Sequence, residues 1–232
     1  MEGLDKKASA KKRAANKAVK FIKPGMKVGL GTGSTVQFFL EKLALLIKEG
    51  LEIKAVSTSR NTTSFAESLG IPLQPIRKMG NIDVTIDGAD EIDPVGNGIK
   101  GGGGALLKEK IVAFHSSQNI WIADSSKLVD KLGKFPLPVE VVPFGYKNIF
   151  SCFKEKGYKP KIRLNENNDI FITDGNHYII DLHLDEIQNP PQLQQEIKMI
   201  TGVVDTGLFL GVLNKAIIGF PDGNVQLLEF KK

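Results

Sequence analysis

Strand-like and helix-like segments alternate through the first half of this 232-residue chain, and this alternation constrains the fold more than any other feature. Strand patterns lie at residues 28–30, 53–56, 82–86 and 119–123, and helix patterns lie at 39–47, 62–69 and 105–114. Such alternation is typical of βαβ units and of a largely parallel sheet. Ligands of these sheets bind beyond the carboxyl ends of the strands. We therefore predict an α/β fold with functional residues in the loops that follow the strands.

The pattern changes near residues 135–138, where prolines interrupt the alternation. Beyond this point the sequence predicts a strand at 139–142, a helix at 147–156, a strand at 161–164, two strands flanking the Asp174-Gly175-Asn176 turn, and a helix opened by Pro190-Pro191. We interpret this region as a compact α+β insert. The predicted domains are residues 1–137 with 207–232 for the α/β part and 138–206 for the insert.

The net charge of +5 is concentrated at the N-terminus, because residues 1–27 contain nine Lys or Arg residues and only Glu2 and Asp5 as acids. Apolar residues recur there at helical spacing, namely Ala15, Ala18, Val19 and Ile22. We predict a helix that docks on the protein body, and a further role in attracting an anionic ligand or polymer stays open. A nucleic-acid-binding domain more often spreads basic charge over a whole face, so we do not expect a nucleic-acid partner.

Hydropathy and cysteine content exclude several classes of protein. The longest apolar run is Leu43–Ile47, whereas a membrane span needs about 20 residues. Cys152 is the one cysteine of the chain, which excludes an internal disulfide and a multi-cysteine zinc site. The first residues contain no apolar core of signal-peptide length. We expect a cytoplasmic protein that has no membrane partner.

The segment Gly29–Thr35, with the sequence GLGTGST, lies between a strand and a helix. Its glycines allow close backbone approach, and the amides of a helix start can bind an anion together with the hydroxyls of Thr32, Ser34 and Thr35. The dinucleotide fingerprint is incomplete because Ser34 stands where it needs glycine, and no Walker lysine follows. The loop fits a phosphate, a carboxylate or a sugar hydroxyl, and a purely structural turn remains the alternative.

A second candidate is Asp87-Gly-Ala-Asp90-Glu91-Ile-Asp93, which follows the apolar alternation of a strand. Four carboxylates in seven residues repel one another unless other groups compensate their charge. They suit the hydroxyl groups of a polar substrate. A loosely held magnesium ion and an acidic surface loop are the alternatives, and the EF-hand spacing is absent.

A third candidate is the run of four glycines Gly101–Gly104 between Lys100 and the helix that carries Glu109. A helical wheel places Glu109 on one apolar arc and predicts a second apolar arc on the opposite side, with Lys108 and Lys110 at the polar edges. The first arc contains Ala105, Leu106, Val112 and Ala113, and the second contains Leu107, Ile111 and Phe114.

A carboxylate on an apolar arc loses hydration energy, so it is expected to be paired or used. Burial favours the protonated form and makes such a group a stronger base than an exposed glutamate. Lys100 could place a positive charge beside a developing oxyanion. An ion pair of Glu109 with a Lys or Arg side chain is the structural alternative.

Read together, these motifs resemble the A-type ribose-5-phosphate isomerase family over nearly the whole chain. The motifs occur in the order Gly29–Thr35, Asp87–Ile92, Lys100–Ala105 with Glu109, Asp124–Lys127, Lys134–Val141 and Gly202–Phe209. The resemblance implies a doubly wound, mostly parallel α/β domain with a smaller ferredoxin-like α+β insert that serves subunit association. It also implies a homodimer or homotetramer that interconverts ribose 5-phosphate and ribulose 5-phosphate with no metal or organic cofactor.

The same resemblance implies roles for individual residues. Glu109 would be the base that moves a proton between C1 and C2 of the sugar, and Lys100 would stabilise the enediolate oxygen. Asp87 and Asp90 would handle ring opening and hydroxyl protons. The remaining substrate contacts would be Thr32, Gly33, Ser34, Thr35, Gly88, Ala89, Gly101, Gly102, Gly103 and Lys127. We also predict that Lys11 or Lys12 helps to hold the substrate phosphate.

Two other classes could use similar loops. A non-catalytic sugar-phosphate sensor would keep a phosphate loop, but it would not need a glutamate on an apolar helix face. An aminosugar-phosphate deaminase or isomerase is a closer alternative, because its phosphate loop is similar, and ammonia release from glucosamine 6-phosphate would identify it.

Overall fold

The computed structural model describes residues 2–230, with side chains from residue 6 onward. The chain divides into two compact units. The first unit comprises Met1–Ala89, Lys108–Lys127 and Gly211–Lys232, and the second comprises Asp90–Leu107 and Leu128–Leu210. The second unit thus contains all of the predicted insert, residues 138–206, and adds the flanking segments 90–107, 128–137 and 207–210 to it.

The first unit alternates strands and helices as predicted. Its helices are α1 (Glu2–Ala18), α2 (Ser34–Lys48), α3 (Arg60–Ser68) and α4 (Leu106–Phe114), of which the first two residues of α4 belong to the second unit. Its strands are β1 (Lys27–Leu30), β2 (Lys54–Ser57), β3 (Ile82–Asp87), β6 (Ser116–Asp124), β12 (Lys215–Gly219) and β13 (Val225–Glu229). Short 3-10 helices lie at Val19–Phe21, Ile76–Lys78 and Ser125–Lys127.

Within the described residues these strands form one six-stranded sheet in the order β13-β12-β6-β3-β1-β2. All neighbours are parallel except β13, which pairs antiparallel with β12. The prediction of a mostly parallel α/β sheet is therefore confirmed. Because the strands are parallel, the loops that follow β1, β2, β3 and β6 all leave from one edge of the sheet.

Helices cover both faces of this sheet. Val28 and Leu30 of β1 belong to a buried cluster with residues of α1 and α2. Gly29 lies between them and points to the opposite face, where a Cβ atom would come within 2.8 Å of Val112 on α4. The glycine thus lets α4 pack close to the sheet. This arrangement confirms the doubly wound architecture.

The basic N-terminal helix is docked on the sheet, as its apolar spacing predicts. Its residues Ala10, Ala14, Ala15 and Ala18 are fully buried, and a Cβ atom at Gly219 of β12 would lie 2.0 Å from the carbonyl oxygen of Ala10. The guanidinium of Arg13 donates a hydrogen bond of 2.8 Å to the carbonyl oxygen of Phe220. No helix in the described part of the chain is long and apolar enough to cross a membrane.

The second unit contains the elements β4 (Glu91–Ile92), β5 (Gly98–Ile99), β7 (Leu137–Val141), α5 (Tyr146–Glu155), β8 (Pro160–Ile162), β9 (Tyr178–Leu182), α6 (Pro190–Lys198), β10 (Val203–Thr206) and β11 (Leu208–Phe209). From β7 to β10 the described elements run βαββαβ and form an antiparallel sheet in the order β10-β7-β9-β8. This is the ferredoxin-like arrangement. A second, short sheet has the order β11-β5-β4.

One predicted strand of the insert is wrong. The residues before the Asp174-Gly175-Asn176 turn do not form a strand, and within 163–173 the structure records only an isolated bridge between Leu164 and Ile170. The main-chain amide of Thr173 instead donates to the carbonyl oxygen of His177 and closes the turn. Three consecutive apolar residues at 170–172 suggest a strand, but Ile172 is 59% exposed.

Candidate functional site

The loops at the carboxyl edge of the first unit lie side by side because of the strand register. Leu30 at the end of β1 pairs with Ser57 of β2 and with Ile86 of β3, and Asp87 pairs with Trp121 of β6. The loop Gly31–Thr35 therefore leaves the sheet next to Asp87. This is the edge at which sheets of this kind bind their ligands.

Asp87 is 2% exposed and is fixed by main-chain amides. Its Oδ1 atom accepts hydrogen bonds from the amide of Thr32 at 3.0 Å and from the amide of Gly88 at 2.7 Å. A Cβ atom at Gly31 would lie 2.0 Å from that oxygen and 2.5 Å from the Asp87 Cα atom. The absence of a side chain at Gly31 is therefore what lets the loop approach the carboxylate.

The hydroxyl of Thr32 does not project freely into the loop. It lies 2.8 Å from the hydroxyl of Thr58, 2.9 Å from that of Ser59 and 3.2 Å from that of Thr62. Thr62 in turn donates to the carbonyl oxygen of Gly31 at 2.8 Å. These hydroxyls of the β2–α3 turn support the loop, and the sequence analysis missed them. The Ser/Thr-rich run at 57–64 was the available signal.

Helix α1 adds a positive charge to the start of α2. The ammonium of Lys11 donates a 2.9 Å hydrogen bond to the hydroxyl of Ser34, whereas Lys12 is exposed. Burial is the main reason that the pKa of Lys11 is lowered from its ordinary value. The charge of Asp124 opposes this shift of the pKa, and the charges of Lys7 and Lys127 reinforce it.

We call Lys7, Lys11 and Lys127 the lysine cluster, because their charges act on one another around Asp124. Asp124 ends β6 and is 4% exposed, and its Oδ1 atom accepts a 3.1 Å hydrogen bond from the amide of Ser126. The ammonium of Lys7 lies 3.9 Å from the same oxygen. Lys127 was a predicted site residue, whereas Lys7 and Asp124 were not.

Glu109 is buried on α4, as the helical wheel predicts, with only 4% of its surface exposed. The other members of its arc are buried as well, namely Ala105, Leu106, Val112 and Ala113. One other prediction for this helix is wrong, since Lys110 was placed at a polar edge but is 6% exposed. The second apolar arc is partly open to solvent, since Ile111 is 42% and Phe114 is 68% exposed.

In the second unit, Lys100 is held by its main chain and by its stem. It is 2% exposed, and its amide donates a 2.9 Å hydrogen bond to the carbonyl oxygen of Gly207. Its ammonium lies 5.2 Å from the centre of the Phe209 ring, which is within the range of a cation–π interaction. The ammonium thus lies beside an aromatic face in a place with little water.

The glycine loop after Lys100 wraps around a carboxylate of the same unit. The amide of Gly102 donates a 2.7 Å hydrogen bond to the Oδ2 atom of Asp90. Gly101 has a φ of +105°, a backbone conformation that favours glycine. Gly102 and Gly103 are exposed.

The remaining carboxylates of the acidic segment are structural. Glu91 is buried and accepts hydrogen bonds from the amides of Gly133 at 2.7 Å and Phe135 at 2.6 Å. Asp93 closes a turn by accepting from the amides of Val95 and Asn97. Main-chain amides thus compensate the charge that the sequence concentrates here. Among the described side chains, no group of three or more His, Cys, Asp or Glu residues is arranged to hold a metal ion.

The predicted site residues fall into two sets. The first unit contains Thr32, Gly33, Ser34, Thr35, Asp87, Gly88, Ala89, Glu109 and Lys127, and the second contains Asp90, Lys100, Gly101, Gly102 and Gly103. Within the first set, Thr32 and Gly88 contact Asp87 directly. Within the second, Gly102 contacts Asp90.

Comparison with known proteins identifies the family of this chain. The family model for ribose 5-phosphate isomerase A (phosphoriboisomerase A) matches residues 54–223. Ribose-5-phosphate isomerase A of Streptococcus thermophilus is 53% identical over 222 residues, which cover 95% of this chain and 98% of that protein. The protein of the same name from Bifidobacterium adolescentis is 52% identical over 214 residues, 92% of each chain.

Solved structures give the same result. Ribose 5-phosphate isomerase from Plasmodium falciparum has a TM-score of 0.93 at 45% identity, covering 97% of this chain and 100% of its own. A D-ribose-5-phosphate isomerase in complex with phospho-erythronic acid has a TM-score of 0.92 at 38% identity, covering 96% and 99%. Sequence and structure together show that this chain belongs to the ribose-5-phosphate isomerase A family.

Proposed function

We propose that this chain interconverts ribose 5-phosphate and ribulose 5-phosphate. The observation that carries the proposal is the burial of Glu109, which is 4% exposed on an apolar face of α4. Removing a proton from carbon requires a base that is poorly hydrated and close to the substrate. A carboxylate among Leu106, Val112 and Ala113 has this character.

The proposed reaction needs only proton transfers. Glu109 removes the proton from C2 of the open-chain aldose, and the electron pair moves to give an enediolate. The protonated Glu109 then returns the proton to C1, so that the C2 oxygen becomes the carbonyl of the ketose. The base is regenerated, and atoms and charge balance over the cycle.

Lys100 supplies the positive charge for the enediolate oxygen in this proposal. A fixed cation in a place with little water stabilises a developing negative charge more strongly than it would in bulk solvent. Lys100 is 2% exposed and is supported by the Phe209 ring, which fits this role.

Asp87 and Asp90 handle the hydroxyl protons. Opening the sugar ring and moving a proton between the C1 and C2 oxygens both require a group that can accept and return a proton. The two amides on the Oδ1 atom of Asp87 and the one on the Oδ2 atom of Asp90 fix these carboxylates in position. A fixed carboxylate transfers protons along a defined direction.

The substrate phosphate binds at the start of α2, next to the lysine cluster. Exposed Gly33 and Ser34 and the first amides of the helix form an anion site, because the helix N-terminus carries a partial positive charge. Lys11 contacts Ser34 directly, so we assign the predicted phosphate contact to Lys11 rather than to Lys12.

The test is a coupled assay with ribose 5-phosphate, carried out with a chelator present. We expect ketose formation by the wild-type chain and a turnover about 10²- to 10⁴-fold lower for Glu109→Gln, the range for loss of a general base. Glu41→Gln is the matched control, because Glu41 is an exposed glutamate on α2. Unchanged turnover in a folded Glu109→Gln variant would remove the proposed base. Ammonia release from glucosamine 6-phosphate would favour the deaminase instead.

We further propose that the chain works as a homodimer or homotetramer. Exposed apolar side chains on the second unit support self-association, since Phe144 is 94% and Met199 is 79% exposed. Light scattering after size exclusion measures the mass directly. A monomer at micromolar concentration would contradict this part of the proposal.

A further inference from the structure

The glycine loop that follows Lys100 needs external support, because glycine is the residue that loses most conformational entropy on folding. Gly101 to Gly104 carry no side chains with which to anchor themselves. On one side the loop touches Asp90, where a Cβ atom at Gly102 would lie 2.7 Å from a carboxylate oxygen. On the other side a Cβ atom at Gly104 would lie 2.4 Å from the ring of Phe171. The loop thus packs against residues of the second unit on two sides.

The main anchor of the loop is Arg163, which follows β8 in the insert. Its Nη1 atom donates hydrogen bonds to the carbonyl oxygen of Gly101 at 2.7 Å and to that of Gly102 at 3.2 Å. Its Nε atom donates to the Oδ2 atom of Asp181 at 2.9 Å, and its Nη2 atom donates to the other oxygen of the same carboxylate. The guanidinium therefore connects two loop carbonyls to one carboxylate.

This arrangement suits arginine and not lysine. A planar guanidinium presents several N–H groups in fixed directions, so it can bind a carboxylate with two atoms and still donate elsewhere. Both side chains are largely buried, with 14% of Arg163 and 17% of Asp181 exposed. Asp181 lies on β9, at the centre of the insert, and the amide of Arg163 donates to the carbonyl oxygen of Ile179 on the same strand. The support is therefore part of the antiparallel sheet.

We propose that Arg163, held by Asp181, is a positioning residue for the isomerase reaction. It fixes the loop carbonyls at Gly101 and Gly102, and through them the adjacent Lys100 and the hydrogen bond between Gly102 and Asp90. The inference rests on the proposed function, because it assigns Arg163 to the loop that carries the proposed cation. It gives the insert a role in turnover in addition to the subunit association that the family resemblance implies.

The test compares turnover and KM of Arg163→Met with those of the wild-type chain. We expect kcat to fall about 10- to 100-fold, since a misplacement of about 1 Å can cost roughly 10²-fold in rate. KM should change much less, because the proposed phosphate contacts belong to other residues. Amide hydrogen exchange at Gly101–Gly104 should become faster in the variant, which reports the loss of loop order directly.

A double variant separates positioning from general destabilisation. If Arg163 acts through Lys100, Arg163→Met should lower kcat only slightly when Lys100→Met is already present, because effects that act through one group do not add. The same fold loss in both backgrounds would overturn the inference. So would a folded Arg163→Met variant with the kcat of the wild type.

Matched substitutions complete the design. Asp181→Asn weakens the support and should lower kcat, whereas Asp185→Asn is the control, since Asp185 is 80% exposed and pairs with Lys159 at the surface. Asn also tolerates the positive φ of +63° at position 185.

If Arg163→Met does not fold, Arg163→Lys is the second variant. It keeps the positive charge without the planar guanidinium, and it is also expected to lower kcat. Full activity of Lys100→Met would overturn the proposed role of Lys100. If Lys100→Met loses activity but Arg163→Met does not, the inference for Arg163 is overturned, whereas the proposed role of Lys100 stands.

Discussion

The candidate residues of the two units are held in different ways. In the first unit Asp87 and the loop Gly31–Thr35 lie at the ends of parallel strands, so the strand register brings Gly31 next to Asp87. In the second unit Lys100 and its glycine loop depend on Gly207, Phe209 and Arg163, which belong to the insert and its flanks. A regular sheet places functional groups through topology, whereas an irregular loop requires dedicated side chains to hold it.

The largest effect that would sharpen this comparison is expected at Lys100. Lys100→Met removes the proposed cation but keeps the length of the stem, so we expect kcat to fall about 10²- to 10³-fold, the range for loss of one group that stabilises an oxyanion. Steady-state kinetics with ribose 5-phosphate measure the change. Lys154→Met is the control, because Lys154 is exposed on α5 of the same unit. Equal kcat in both variants would contradict the role of Lys100.

A smaller effect is expected from adding a methyl group to each glycine loop. The Cβ atom of Gly31→Ala meets the Asp87 Cα atom at 2.5 Å, so the backbone has to move, whereas the atoms nearest to that of Gly102→Ala belong to the Asp90 carboxylate, so a side chain has to shift instead. We expect Gly31→Ala to lower the free energy of unfolding by about 1–3 kcal/mol, as overpacking does, and Gly102→Ala to lower it less. Urea denaturation provides the measurement. Equal destabilisation would show that the two loops are held alike.

The smallest effect concerns the lysine cluster of the first unit. Burial lowers the pKa of Lys11, so its ammonium loses its proton at a lower pH than an ordinary lysine. As pH rises, kcat/KM should fall early in the wild-type chain, and Lys11→Arg should shift this fall to higher pH, because arginine stays charged. The profile of kcat/KM from neutral to alkaline pH checks this. Lys12→Met is the control. An unchanged KM in Lys11→Met would contradict the proposed contact between Lys11 and the substrate phosphate.

The sequence predicted the parts of the site that follow from periodicity. The alternation of segments predicted the sheet and its ligand-binding edge, and the wheel predicted the burial of Glu109. Periodicity reports which residues share a face but not what covers that face. For this reason the helical wheel predicted a second apolar arc on α4 but did not show that Ile111 and Phe114 are exposed there, and it did not predict the burial of Lys110.

The parts of the site that could not be predicted depend on contacts between segments that are distant in the sequence. No pattern of neighbouring residues indicates that these segments meet. Nothing around Arg163 in the sequence indicates that its guanidinium reaches carbonyl groups 62 residues away. The same holds for Lys7, which resembles every other lysine of a basic helix until the docking of α1 brings it near Asp124. In both places the tertiary contacts, and not a sequence motif, determine which charged side chain lies next to the candidate site.

The close approach of Ala10 to Gly219 has a consequence for engineering this enzyme. Because α1 lies against β12 without room for a methyl group, the backbone that carries Lys7 and Lys11 is held against the sheet. Shortening α1 would expose apolar residues of the sheet to solvent. It would also remove Lys7 and Lys11 from the edge of the sheet where the ligand is expected to bind. Redesign of surface charge is therefore best confined to exposed positions such as Lys12 and Asn16, which leave the contact between α1 and β12 unchanged.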